Sequence, residues 1–117
     1  MQKLTVKLDE WLVYRGRFLN VTFMVQSGER EWLVRIHDGD IQEIRQGPFV
    51  MPRWSFRLVA NEDAWKKYYA DVPTPGYHDL MAMIKFKYLR IEGDQHPFMS
   101  HLLYFKELMK SLKEVLQ

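Results

Sequence analysis

Apolar side chains at Phe98, Leu102, Phe105, Met109, Leu112 and Leu116 recur in steps of four and three. Such spacing draws one stripe along an α-helix, and Leu103, Leu108 and Val115 widen it. The residues before the stripe read as a strand, Phe86-Lys87-Tyr88-Leu89-Arg90-Ile91, and a break at Glu92-Gly93-Asp94. Gly93 suits a tight exit from the strand, Asp94 can cap free backbone N–H groups, and Pro97 is tolerated in a first helical turn. Lys106, Lys110 and Lys113 lie toward the far end, where positive charge complements the helix dipole. A helix with so continuous an apolar side must lie on a partner surface.

The first half of the chain supplies that surface as a sheet. Residues 18–26 are rich in β-branched and aromatic side chains, and Ser27-Gly28-Glu29 reads as a turn. Trp32–Ile36 and Ile41–Ile44 flank Asp38-Gly39, a pair that favours the positive φ angles of a two-residue hairpin turn. Gly47-Pro48 and Pro52 interrupt the chain, after which Trp54, Phe56 and Leu58 alternate with Ser55, Arg57 and Val59. The expectation is an antiparallel meander of about four strands over this half. Asn61 then caps a helix with Glu62 and Asp63 in its first turn and Ala64, Trp65, Tyr68 and Tyr69 on one face. That helix stops before Pro73-Thr74-Pro75-Gly76, and a short helix from about Tyr77 to Lys85 carries Leu80, Met81, Met83 and Ile84. Residues 1–17 admit two readings: Leu4, Val6 and Leu8 alternate as a strand would, while residues 9–14 fit a helical turn or extended chain. The order predicts an α+β fold, a mostly antiparallel sheet of about five strands with helices packed on one face.

With 117 residues there is length for one core, so a single domain spanning 1–117 is expected. The 17 basic and 15 acidic residues leave a net charge of +2 and are interspersed. Without a basic stripe, nucleic acid is not expected as a partner. The lysines of the last helix read as a solvated face that offers at most weak membrane contact. No cysteine is present, which removes disulfides and thiolate metal sites. With no basic-then-apolar leader and no apolar run near the ~20 residues of a membrane helix, a cytoplasmic location is expected.

Asp38-Gly39, Trp65 and the run Leu89, Ile91, Gly93, Asp94 leading into an apolar helix together resemble the sterol carrier protein-2 family of lipid-binding domains. The likeness covers about residues 18–116. That family shows a D-G hairpin, a capped helix with a tryptophan, a short helix, and an L-x-I-x-G-D strand before its last helix. It usually begins with a longer helical segment than the 17 residues here could form. The resemblance implies a cavity between sheet and helices holding a fatty acyl chain, sterol or terpenoid-like lipid, without catalysis and without a cofactor. It implies that Phe56, Trp65, Tyr69, Leu80, Met81, Met83, Ile84, Phe98, Met99, Leu102 and Phe105 contribute to that cavity. Methionine is flexible and polarizable and so adapts to variable apolar ligands. Without the resemblance the same stripe reads as ordinary core.

Other chemistry finds little support in the sequence. His96 and His101 are five apart, off one helical face, and His37 with Asp38 and Asp40 is explained by a hairpin turn. His78-Asp79 opens a helix, where an acid is expected in any case. Ser27, Ser55, Ser100 and Ser111 lie in no nucleophile motif, and Ser100 and the adjacent His101 do not share a face. Neither catalytic residues nor a metal is expected. Arg57 and Arg90 are the polar residues with the best claim to ligand contact, although a solvated salt bridge is the commoner role for arginines so placed. Tyr68, Tyr69 and Tyr104 could place hydroxyls at a pocket mouth. The rival to the lipid reading is an assembly module that keeps the fold without a ligand and covers its exposed edge or helix surface as a homodimer. An enzyme subunit completed by a partner is a third, weaker option.

Overall fold

The structure is a computed structural model and describes residues 2–4, 7–50, 52–70, 72, 75–77 and 79–116. Val6, Pro73, Thr74 and His78, named above, lie outside the described residues. The strands are β1 (Gln2–Leu4), β2 (Val21–Ser27), β3 (Arg30–His37), β4 (Asp40–Gln46), β5 (Phe56–Ala60) and β6 (Arg90–Gly93). They form one six-stranded sheet in the order β1-β4-β3-β2-β5-β6. The helices are α1 (Glu10–Arg15), α2 (Glu62–Tyr68), α3 (Leu80–Lys85), α4 (His96–Ser100), α5 (Leu102–Ser111) and α6 (Lys113–Leu116). The α+β class holds. None of the described helices is long and apolar enough to cross a membrane.

The predicted meander extends only over β2, β3 and β4. β5 passes β3 and β2 and pairs with β2 in parallel, Phe23 opposite Phe56 and Val25 opposite Leu58. The sheet is therefore mixed, with one parallel pair, and not the mostly antiparallel sheet of about five strands expected from sequence. The cause lies in residues 47–55, where prolines rule out a tight hairpin. Nine extended residues span up to ~30 Å, enough to run back along a strand and enter the sheet on its far side. The sixth strand is β1, added to the β4 edge.

Two further expectations change in position. The final strand begins at Arg90 rather than Phe86, because residues 86–89 close off α3. Tyr88 N–H donates to the Met83 carbonyl at 2.8 Å and Lys87 N–H to that of Ile84 at 3.1 Å, with Lys87 at φ +64°. This is a left-handed helix C-cap, a place usually given to glycine. The long C-terminal helix is broken at His101 and Leu112 into α4, α5 and α6. Its apolar stripe survives the breaks: Phe98, Phe105, Met109 and Leu112 are all buried. They share one core with Phe23, Val25, Val34, Ile36, Phe56 and Leu58 from the sheet and with Leu12, Trp65 and Leu80 from the other helices. The helices thus cover one face of the sheet. The opposite face carries alternate strand residues such as Thr22, Arg35, Glu43, Arg57 and Glu92.

Candidate functional site

β6 is the last strand of the sheet, so among the described residues its outer edge has no neighbouring strand. Beside it the end of β5, the last turn of α3 and the cap that follows leave an open groove of about 750 Å³. Val59, Ala60, Ile84, Leu89 and Ile91 give it an apolar wall. Its polar lining is Asn61, Lys87, Tyr88, Arg90 and Gln95, and among the described residues no carboxylate lines it. Local sequence explains the shape. Asn61 ends β5 by capping α2, its side chain accepting from Ala64 N–H at 2.7 Å. The cap at Lys87 turns the chain from α3 into β6 and leaves Leu89 buried and Lys87 exposed.

The charges around the groove are unequally engaged. Arg57 faces Glu92 across the β5–β6 ladder and donates to it from Nε at 2.9 Å and from a terminal nitrogen. Arg90 Nε lies 2.7 Å from the same carboxylate. The hydrogen bond from Arg57, more than the charge of Arg90, holds the Glu92 carboxyl below the usual carboxylate range. Arg90 can therefore turn to a ligand without stranding Glu92. The Lys87 side chain has no ion pair among the described residues. The sequence reading named Arg90 and Arg57 but passed over Lys87. The one signal for it was a helix end with no glycine.

The apolar residues proposed from sequence fall in different places. Ile84 lines the groove. Met99 and Leu102 line a separate cleft of about 370 Å³ with Arg15, His101 and Leu103. Phe56, Trp65, Tyr69, Leu80, Met83, Phe98 and Phe105 are buried, and Met81 packs against them partly buried. Between sheet and helices Phe56 stacks on Phe23 at 5.2 Å, and Phe98 and Phe105 meet Phe56 edge-on at 5.6 and 5.3 Å. The Tyr69 hydroxyl donates to the Met109 carbonyl and the Tyr104 hydroxyl to the Gly39 carbonyl. Both hydroxyls bind buried backbone, and the Tyr104 ring also lines the cleft of Met99 and Leu102. His37 sits 3.3 Å from Asp38, and His96 lies 3.3 Å from Ser100, both at the surface. Among the described residues no group of three or more His, Asp or Glu side chains is arranged to hold a metal.

No protein-family model matches the sequence, and no curated protein matches it significantly. Solved structures do match. Sterol carrier protein 2 superposes with a TM-score of 0.71 at 10% identity, over 91% of this chain and 85% of that one. TT1886 from Thermus thermophilus, a conserved hypothetical protein described as possibly a sterol carrier protein, gives 0.63 at 7% identity over 88% and 77%. UbiJ-SCP2, a ubiquinone synthesis protein, gives 0.53 at 12% identity over 96% and 84%. The likeness first carried by Asp38-Gly39, Trp65 and Leu89-to-Asp94 is a likeness of three-dimensional structure, and the chain has the fold of sterol carrier protein 2.

Proposed function

We propose that this chain is a non-enzymatic carrier of an apolar ligand with an anionic head, its chain acyl or terpenoid-like. The observation that carries this reading is the groove beside β6: an apolar wall, two cations at the rim and, among the described residues, no carboxylate. Its volume of about 750 Å³ falls in the range of small-molecule sites. Apolar burial against Leu89, Ile91, Ala60 and Ile84 supplies affinity, and Lys87 with Arg90 orients the head. A lysine held at φ +64° fits this role, since local strain is tolerated where it places a useful group. Two structural neighbours are named for a sterol and for ubiquinone synthesis, both apolar molecules, which supports the same ligand class.

A second reading has its own support. Trp11, Phe18 and Leu103 are 78%, 83% and 63% exposed, apolar side chains that a second copy of the chain could cover. A homodimer that buries them would serve assembly instead. Native mass spectrometry of the purified protein before and after organic extraction separates the two. The carrier reading expects loss of one bound lipid-like mass and displacement of a fluorescent fatty acid. A dimer with no adduct and no displacement leaves the assembly reading. Lys87→Glu with Arg90→Glu is expected to weaken a fatty acid about tenfold or more while sparing a neutral analogue.

A further inference from the structure

The face of the sheet that carries no helix holds a second pocket, polar and about 550 Å³ in volume. Thr22 comes from β2, Arg35 and His37 from β3, Gln42 from β4, and Arg53, Trp54 and Ser55 from the segment entering β5. A fault in the sheet shapes it. Arg35 pairs with Glu43 but Ile36 with Ile41, so Gln42 is an extra residue without a partner across the ladder. A bulge of this kind bends the strand and re-aims its side chains. Residues 53–55 then close one side, fixed where Ser55 N–H donates to the Thr22 carbonyl at 2.8 Å.

The electrostatics of this pocket are one-sided. Arg35, Arg53 and His37 line it, and among the described residues no carboxylate does. The Arg53 side chain has neither ion pair nor hydrogen bond among the described residues. Arg35 is held loosely, 4.0 Å from a Glu43 carboxylate that Arg45 already grips at closer range. Asp38, beside the rim, is 3.3 Å from His37 Nε2. The Asn20 side-chain oxygen accepts from Asp38 N–H at 3.0 Å, which leaves its amide nitrogen to donate. Two guanidinium forks, an amide donor and the Thr22 and Ser55 hydroxyls line one pocket, and the carboxylate that approaches Arg35, that of Glu43, is already held by Arg45. Guanidinium forks match the oxygens of a phosphate in pairs.

We propose that this pocket binds a phosphate group, free or carried on a small metabolite, with Arg35 and Arg53 as its charged partners. The site stands apart from the apolar groove and does not depend on it. The test is an NMR titration of the full chain at constant ionic strength, with inorganic pyrophosphate and glycerol 3-phosphate as probes. The expected result is saturable shifts of the Trp54 indole N–H and of the Thr22, His37 and Ser55 amides, with a dissociation constant below about 1 mM. The indole signals of Trp32 and Trp65, buried in the core on the other face, stay fixed. Arg53→Glu, a change at an exposed side chain with no partner to lose, should weaken binding about tenfold or more, and Arg35→Gln should weaken it less. The tighter probe identifies the source of the phosphate. Shifts that grow linearly without saturating, or that persist unchanged in Arg53→Glu, overturn the proposal.

Discussion

Tyr69 shows how one side chain can close a helix end it does not belong to. It follows α2 in the chain, is 5% exposed, and its hydroxyl donates to the carbonyl of Met109 near the end of α5. The Met109 carbonyl also takes a long bond from Leu112 N–H, at 3.3 Å, and the phenol adds a further donor to this buried acceptor at the helix end. Tyr69→Phe is expected to lower stability by about 1 kcal/mol in urea unfolding at neutral pH. Burial, and after it the neighbouring Tyr68, raises the Tyr69 phenol above its ordinary 10.0. Below that value both folded and unfolded chains hold the proton and the contribution is complete. Above it the unfolded chain releases a proton that the folded chain keeps, so stability falls as pH rises. The fall between pH 10 and about 11 should be shallower in Tyr69→Phe than in the wild type. Equal slopes in the two proteins would show that burial of this phenol is not the cause.

Elements that depend on neighbours in sequence were legible in the sequence itself. Asp38 and Gly39 turn the β3–β4 hairpin at φ +50° and +80°, and Asn61 caps α2, because a turn or a cap is decided within a few residues. Gly93 is equally local: at φ +88° a Cβ there would stand 2.6 Å from the Ser55 carbonyl oxygen. Gly93→Ala should cost about 2 kcal/mol, read from the thermal midpoint. The parallel β2–β5 pair was not legible, since alternation says which side chains face inward but not which strand lies alongside. The breaks at His101 and Leu112 were hidden for a related reason: the inward stripe runs straight through them, and neither position is glycine or proline. The cap at Lys87 contradicts its own sequence rule. Lys87→Gly should raise stability by about 1 kcal/mol by relieving the left-handed strain, and should weaken binding of an anion-headed probe. If stability rises and affinity holds, the lysine is not what meets the ligand head.

Across the whole molecule, the same aromatic side chains that make the fold stable compete for the space a guest would use. Phe23, Phe56, Phe98 and Phe105 fill the layer between sheet and helices, and the open volume lies at the β6 edge instead. That division was beyond the sequence, because an apolar stripe looks the same whether it meets another side chain or a ligand. Gln95 links the two regions: it lines the groove and immediately precedes α4, whose Phe98 belongs to the aromatic cluster. Removing that ring tests whether space opened in the core communicates with the groove. Phe98→Ala should cost about 3–5 kcal/mol, within the ~5–15 kcal/mol that folded domains hold, and Phe98→Leu less. If a ligand tail runs from the groove toward the core, a long-chain fatty acid should bind the Phe98→Ala protein more tightly than the wild type. A short-chain acid, confined to the rim by Lys87 and Arg90, should bind both alike. A void that tightens neither acid would place the ligand wholly in the outer groove and leave the aromatic layer as packing. Calorimetric titration of the two acids against the two proteins reads this difference directly, since stability and affinity are measured apart.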